Sequence, residues 1–242
     1  MASTNEDPVR LEEARPYKRS SLPIVRTVVL PPKPLLTCPF DLALKRRRSA
    51  DLFGPIAPEE LGTLLAFTAG LQGRNVTDSN RQRRYVGSFG ALHPAHILIG
   101  TVSHSWSVYL PAQHALGVLQ VERRAARLLR QEAEACHVGG SAVLIALLAD
   151  VDLAESYYRN ALQLLLRDGG VLLGHASLVA AASNLPFRIL GTVGGDTIKS
   201  LIPGMGFRSM GTGIAWIGGA NIESRVGEVS PDDQIDSLLA VG

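Results

Sequence analysis

The sequence predicts a single α+β domain, and two observations carry this prediction. With 242 residues and 46% apolar content, the chain is long enough to bury one substantial core, which favours one elaborate domain over two small ones. Helical and strand-like segments also mix without a regular βαβ rhythm, which favours α+β over a doubly wound parallel sheet. The expected architecture is therefore a mixed or antiparallel sheet with helices packed on it.

Composition narrows the class of protein. Lys plus Arg number 24 against 22 for Asp plus Glu, a balance too even to predict a nucleic-acid or membrane partner from bulk charge. Cys38 and Cys136 lack the spacing of a metal site or a disulfide framework, which suits a reducing compartment. The N-terminus carries no apolar signal segment, and no run approaches the roughly 20 apolar residues of a membrane span. We therefore expect a cytoplasmic protein.

The chain divides into three predicted parts. Residues 1–38 form an N-terminal arm, partly disordered, with an edge strand over residues 24–30. Residues 39–219 form the main domain, and residues 220–242 form a C-terminal tail that is acidic in its middle.

Periodicity places the elements of the main domain in order. Helices are predicted from a cap at Thr37 through residue 48, after Pro58, over residues 122–135 and over residues 155–185. Strands are predicted over residues 96–102, 106–110, 143–148, 187–193 and 214–218, and the polar, aperiodic residues 73–84 are predicted to be a mobile loop. Gly169, Gly170 and Gly174 fall inside the last helix, where each costs about 1 kcal/mol relative to Ala. That cost indicates close packing or a ligand.

Two basic clusters suggest an anionic ligand. Residues 45–49, KRRRS, end the first helix, where the macrodipole favours one or two basic side chains but does not account for the whole set. Arginine forks with a hydroxyl suit an anion, and Arg81, Arg83 and Arg84 could converge on the same one. Nucleic acid is disfavoured because aromatic residues make up only 5% of the chain and do not alternate with the arginines.

Three other chemistries are not supported. His93 and His96 resemble a metal pair, but Pro94 disfavours the helix that would align them and no ligand cluster completes a site. The Ser88 turn lacks the spacing of a hydrolase nucleophile elbow. Residues 191–196, GTVGGD, match neither a Walker A loop nor a dinucleotide fingerprint, and a strand-to-helix turn accounts for them.

Taken in order, four segments resemble the nitroreductase family, most closely its SagB-type branch, which includes the azoline dehydrogenases. "KRRRSADLFGPIAPEELGTLLAFTAG" looks like the opening RRSxRxF element and its helix, and "RRYVGSFGALHP" looks like the RxxPSxGAxxP turn. "VYLPAQHALGVL" is similar to a segment ending in a His-Ala-Leu-like box, and "YYRNALQLLLRDGGVLLGHASLVAAASNL" resembles the YR...DAG...A helix. The likeness covers residues 22–219, and the order of the motifs is more specific than any one of them.

The resemblance implies a dimer with FMN held between the subunits. In that case Arg47, Arg48 and Ser49 bind the flavin phosphate and ribityl chain, and Arg84 supports the anionic end. Ser88 and Gly90 bring hydroxyl and backbone donors to the isoalloxazine ring. A turn near the ring contributes Gly191, Gly194 and Gly195.

Some positions depart from the family pattern. Asp51 stands where a second basic residue is usual and places a negative charge near the phosphate. Gly87 replaces a proline, and His96 replaces a common carboxylate. The Lys-Tyr pair of azoline dehydrogenases falls at Asp152 and Leu153 here, so Asp152 or the nearby tyrosines Tyr157 and Tyr158 are the candidate catalytic bases.

The sequence thus predicts an FMN-dependent oxidoreductase that oxidises a peptide-derived or natural-product intermediate by hydride transfer to flavin N5. A homodimer is expected, possibly with a second protein of a biosynthetic complex. Two alternatives stay open. The same fold could reduce nitro or quinone compounds with NAD(P)H, or it could be a flavin-free scaffold or partner subunit.

Overall fold

The computed structural model describes residues 7–19, 21–32, 35–74 and 78–219. The predicted C-terminal tail, residues 220–242, lies outside the described residues.

Strands and helices alternate irregularly along the chain. The strands are β1 (Val9–Arg10), β2 (Ile24–Val29), β3 (Leu71–Arg74), β4 (Gln82–Arg84), β5 (Ala95–Gly100), β6 (Trp106–Leu110), β7 (Ala115–Leu119), β8 (Val143–Asp150), β9 (Tyr158–Arg159), β10 (Phe187–Ile189) and β11 (Ser209–Ile217). The helices are α1 (Phe40–Arg46), α2 (Pro58–Ala69), α3 (Arg123–Cys136), α4 (Val151–Glu155), α5 (Leu162–Ala182) and α6 (Gly195–Leu201). A short 3₁₀ turn, Phe89–Ala91, precedes β5.

Seven strands form one sheet in the order β10-β11-β8-β5-β6-β7-β2, and every neighbouring pair is antiparallel. The predicted α+β class is confirmed, with a fully antiparallel main sheet. Its strands come from distant parts of the chain, because β2 joins from the N-terminal arm and β11 from the end of the domain.

Strand β8, the third of the seven, separates two hydrophobic cores. Its side chains alternate, so that Ile145 and Leu147 pack with α2 and α5 on one face of the sheet. Leu144 and Ala146 pack with α3 and α6 on the other face. All eight β8 residues are buried, because helices cover both faces of the sheet.

A third, smaller core lies at the end of β8 and supports the turn that contains Ser88. It joins Phe89 and Leu92 to residues of α4 and the start of α5, including Leu153 and Leu165. Asp150 ends β8 and caps α4, since its Oδ1 accepts from the Leu153 backbone N–H at 2.9 Å. The end of the central strand therefore fixes the position of the short helix next to it.

The N-terminal arm packs against this third core. Val9 and Arg10 pair antiparallel with Arg159 and Tyr158. The Tyr17 hydroxyl donates to Asp150 Oδ2 at 2.5 Å, and the Arg19 guanidinium donates to the carbonyls of Asn80, at 2.9 Å, and Leu92. Residues 7–19 are therefore anchored to the domain by backbone and side-chain hydrogen bonds.

Several sequence predictions of local structure were wrong, each for an identifiable reason. Helix α1 begins after Pro39, and Thr37 does not cap it. The predicted mobile loop contains the β3–β4 hairpin, whose polar residues take the extended form through backbone pairing. The predicted helix over residues 155–185 is interrupted, because Asn160 has φ +56° and β9 pairs with the arm. Strand β7 and helix α6 were not predicted.

Among the described residues, one helix, α5, is long and apolar enough to cross a membrane, but 56% of its apolar window is buried inside the protein. A core helix of a soluble protein passes the same test. The packing of α5 against α2 and β11 accounts for its composition.

Gly169 and Gly170 provide a matched test of α5 packing. A Cβ at Gly169 would lie 2.5 Å from the Thr212 carbonyl oxygen, whereas a Cβ at Gly170 would meet nothing within 4 Å. Gly169→Ala should lower the free energy of unfolding by about 1–3 kcal/mol through overpacking. Gly170→Ala should raise it by up to about 1 kcal/mol through helix propensity. Urea unfolding measures both, and equal effects of the two variants would contradict this packing.

Candidate functional site

Five of the predicted site residues line two separate cavities, and the others line neither. The first, about 630 Å³, lies between the β3–β4 hairpin and the Ser88 turn, and Arg84, Ser88 and Gly90 line it. The second, about 860 Å³, lies where α1 meets the end of α5, and Arg48 and Ser49 line it. The two cavities have no lining residue in common. The sequence suggested that the two arginine clusters could converge on one anion. Within one chain they lie at different cavities and do not converge.

A buried carboxylate holds the Ser88 turn. Ser88 Oγ donates to Asp168 Oδ2 at 2.5 Å, and the Phe89 backbone N–H donates to Asp168 Oδ1 at 3.2 Å. Ser88 Oγ also accepts from the His93 backbone N–H at 3.0 Å. A hydroxyl has a single hydrogen to donate, and Ser88 donates its hydrogen to Asp168. In this arrangement the Ser88 hydroxyl cannot also donate to a ligand. A donor to a ligand would have to come from the backbone.

Gly90 forms the floor of the first cavity. Its φ of +58° falls in the left-handed region, and an added Cβ would lie 3.0 Å from Tyr158 Oη. The Tyr158 ring also packs edge-on against Phe89, with centroids 5.4 Å apart. The backbone at Gly90 is therefore exposed to the cavity on one side and supported by Tyr158 on the other.

Arginines dominate the wall of the first cavity. Arg81 pairs with Asp78 at 3.0 Å and donates to the Gly90 carbonyl at 3.2 Å. Arg84 donates through Nε and Nη2 to Gln82 Oε1, at 3.1 and 2.7 Å. Burial and the nearby Arg19 lower the pKa of Arg84 to about 10, which leaves the guanidinium charged at neutral pH.

His93 and His96 lie on either side of Pro94. Among the described residues, no group of three His, Cys, Asp or Glu side chains could hold a metal ion, so these two histidines are not part of such a group. Burial and then the Arg84 charge lower the pKa of His93 to about 4. Its Nε2 lies 3.0 Å from the Gln82 carbonyl, so Nε2 carries the proton of the neutral ring. Burial and the charge of Arg19 lower the pKa of His96 to about 4. Neither ring is a proton donor at neutral pH.

Asp51 lines the second cavity, and its counter-ion Arg188 lies just outside the lining. Arg188 Nη1 lies 2.6 Å from Asp51 Oδ1 and also donates to the Ala50 carbonyl at 2.8 Å. The negative charge that the sequence placed beside a phosphate is thus paired. Arg47 ends α1, is exposed, and does not line this cavity, whereas Arg48 and Ser49 do.

The two candidate bases differ in their surroundings. Arg208 Nε donates to Asp152 Oδ1 at 2.6 Å, and the Arg208 backbone N–H donates to Asp152 Oδ2 at 2.8 Å. Both oxygens of Asp152 are therefore engaged, and the residue lines neither cavity. Tyr158 also lines neither cavity, but its hydroxyl lies 3.0 Å from the position of a Cβ on Gly90, which lines the first.

The predicted glycine turn lies outside both cavities. Gly191, Gly194 and Gly195 connect β10 to α6, and the left-handed φ of Gly194, +81°, starts the helix. A Cβ at Gly194 would lie 3.1 Å from Ile214, so this turn also packs against the sheet. The structure shows a strand-to-helix turn here, and its role toward a cofactor stays a prediction.

Sequence reasoning gave no role to three residues that bond to, or lie near, residues lining the cavities. Asp168 is a lone acid in an apolar helical stretch, and such a position is a usable signal for a buried hydrogen-bonded carboxylate. Arg188 lies within an apolar strand and pairs with Asp51 across 137 positions of the chain. Arg19, in the arm, carries no local pattern that predicts its position near Arg84.

No protein-family model and no curated protein matches the chain. Its fold is similar to that of a Ralstonia eutropha protein assigned as a nitroreductase, at 16% identity and a TM-score of 0.56, over 86% of this chain and 98% of that one. It is also similar to a chain of the Escherichia coli microcin synthetase McbBCD complex with truncated pro-MccB17 bound, at 18% identity and a TM-score of 0.55, over 73% and 70% of the two chains.

A third similar structure is an Anabaena variabilis protein assigned as a nitroreductase, at 17% identity and a TM-score of 0.55. The match covers 87% of this chain and 41% of that longer one. These similarities confirm the nitroreductase-like fold that the sequence motifs predicted.

Asp168→Asn tests the support of the Ser88 turn. An amide keeps an oxygen for the Phe89 N–H but offers only N–H groups to the Ser88 hydroxyl, so one charge-assisted hydrogen bond is lost. The free energy of unfolding should fall by about 1–3 kcal/mol, as measured by urea unfolding. Asp196→Asn, on an exposed carboxylate, is the control. Equal stability of the Asp168 and Asp196 variants would show that the turn does not depend on this carboxylate.

The histidines predict a pH dependence of stability. Each folded-state pKa, about 4, lies below the unfolded value of about 6.5, so the unfolded chain binds more protons between these values. Stability should therefore fall as the pH drops from 6.5 toward 4, by up to about 1.4 kcal/mol per pH unit for each ring. Burial raises the pKa of Asp150 and of Asp168, which offsets part of this loss.

Comparison with His96→Gln isolates the contribution of one ring, because both aspartates remain. Urea unfolding at pH 7 and pH 5 should show a smaller loss of stability for the variant than for the parent. An identical loss in the two proteins would mean that His96 is not held neutral by the fold.

Proposed function

We propose that the protein is an FMN-dependent oxidoreductase that holds each flavin between two copies of the chain. One observation carries the proposal: five of the predicted flavin residues line two cavities that share no lining residue. If the first cavity of one copy faces the second cavity of another, the phosphate-binding and ring-binding residues come together.

The residues present fit such a ligand. Both cavities fall in the size range of cofactor sites, roughly 300–1,000 Å³. Arg48 and Ser49 supply guanidinium and hydroxyl donors suited to a phosphate. Gly90 lines the first cavity with backbone in the left-handed region, φ +58°, where glycine is favoured.

The chain's own residues would hold and orient the cofactor, which when bound accepts a hydride at N5. Arg48 and Ser49 fix the phosphate, while Arg188 offsets the charge of Asp51 beside them. Asp168 keeps the Ser88 turn in the shape that presents the backbone of Ser88 and Gly90. Arg47 and the turn at Gly191, Gly194 and Gly195 line neither cavity of one chain. In the proposal they contact the cofactor from the second copy.

Tyr158 is the proposed proton-accepting or proton-donating group. Its hydroxyl lies 3.0 Å from the position of a Gly90 Cβ, immediately behind the wall of the first cavity. Asp152 stays the second candidate, and it would have to leave Arg208 before it could accept a proton.

An exposed apolar face supports association with a second copy. Phe40 and Leu44 on α1 are 68% and 50% exposed, and Leu166 and Val171 on α5 are 45% and 46% exposed. Helices α1 and α5 contact one another, and residues of both line the second cavity. Burial of such a face is a normal driving force for dimerisation.

The proposed substrate is a peptide-derived or other natural-product intermediate, with oxygen as the oxidant that restores the cofactor. The fold shared with a chain of the McbBCD complex with truncated pro-MccB17 bound supports this choice and the idea of a partner protein. We propose a soluble cytoplasmic location for the same reasons of composition given above.

The direct test is the absorption spectrum of the purified protein, with the released chromophore identified by mass. We expect one FMN per chain, and removal of the arginine in Arg48→Ala should weaken FMN binding by about 10- to 100-fold through loss of a charge-assisted hydrogen bond. Arg127→Ala, on the exposed face of α3, is the matched control. A colourless protein that does not bind added FMN would overturn the proposal.

Reduction of the bound flavin separates the two catalytic directions. Bleaching by NADH or NADPH would replace the oxidase proposal with that of a nitro or quinone reductase. Bleaching by a candidate peptide substrate and recovery in air would support the oxidase.

A further inference from the structure

The first cavity contains positive charge that the protein does not neutralise. Arg81, Arg83 and Arg84 line it, and its lining residues include no Asp or Glu. Arg81 is paired with Asp78, which lies outside the lining. Ser88 and His93 contribute groups that are already hydrogen-bonded within the turn. The wall is therefore cationic toward any ligand that enters.

Arg84 is the more buried of the two arginines here that have no carboxylate partner among the described residues. Its guanidinium donates to the neutral Gln82 side chain, and no carboxylate of the described residues lies within ion-pair distance of it. Arg19 adds a second positive charge nearby, so Arg84 is repelled from that side. A partly buried cation without a counter-ion is costly, and a bound anion would offset that cost.

Arg84 is also held in position before any ligand arrives. Gln82 Oε1 takes two of its donors, at 3.1 and 2.7 Å, and the Gln82 backbone carbonyl lies 3.0 Å from His93 Nε2. The Nη1 group stays available to a ligand in the cavity. A fixed guanidinium binds an oxyanion with less loss of side-chain entropy than a mobile one does.

We infer that Arg84 binds an oxyanion group of the substrate, such as a carboxylate, rather than the phosphate of the cofactor. This inference rests on the proposed function, which places the phosphate at Arg48 and Ser49, in a cavity that shares no lining residue with that of Arg84. It narrows the substrate class to molecules that carry a negative charge close to the bond that reacts.

Phenylacetate and its neutral isostere 2-phenylacetamide test the inference by titration calorimetry on the purified protein. We expect phenylacetate to bind at least ten-fold more tightly than the amide. Arg84→Gln should remove this preference by weakening phenylacetate binding about 10- to 100-fold, while Arg84→Lys should keep part of it. Arg127→Gln is the control and should bind as the parent does. Equal binding of the two probes by the parent would overturn the inference.

The FMN content of the same variants separates the two proposals. Arg84→Gln is expected to keep its FMN, and loss of FMN with unchanged phenylacetate binding would assign Arg84 to the cofactor instead. A parent protein that takes no FMN but binds phenylacetate through Arg84 would uphold the anion site and overturn the flavin function alone. Circular dichroism on Arg84→Lys shows that the fold tolerates a change at this position.

Discussion

The burial of β8 on both faces and its pairing on both edges is the constraint on which the rest of the fold depends. All eight residues of β8 are buried, so helices must cover both faces of the sheet there. A strand must also pair along each edge of β8, because buried backbone N–H and C=O groups without hydrogen bonds are costly. Here β5 and β11 supply the edges. The end of the strand then controls its surroundings, since Asp150 both caps α4 and accepts from Tyr17 in the arm.

The cavities lie at the borders of this framework. The Ser88 turn enters β5 and is held by Asp168 on α5, so one carboxylate connects a loop to the helix that covers the sheet. Because burial raises the pKa of Asp168, its ionised form is costly and is kept by the donors of Ser88 and Phe89. The turn that includes Gly90 therefore depends on a carboxylate that is costly to bury in its ionised form.

The charged side chains at the two cavities differ in whether they have a partner of opposite charge. Asp51 and Arg188 compensate one another at the second cavity, whereas Arg84 at the first has only an amide partner among the described residues. The contrast is between an Arg–Asp ion pair beside the second cavity and a partly buried arginine at the first, without a carboxylate partner in the described part of the chain. The two arginine clusters look equivalent in the sequence, but their surroundings in the structure carry different charges.

The sequence by itself determined the fold class, the main helices and strands, and the family likeness, because periodicity and ordered motifs are local properties. It also identified Arg48, Ser49, Arg84, Ser88 and Gly90, each of which lines a cavity. Only the tertiary structure decided that these residues divide between two cavities, that Arg208 engages Asp152 and that Asp168 holds Ser88 across 80 positions of the chain. Such pairings depend on how distant strands and helices come together, and no local pattern in the sequence encodes those distances.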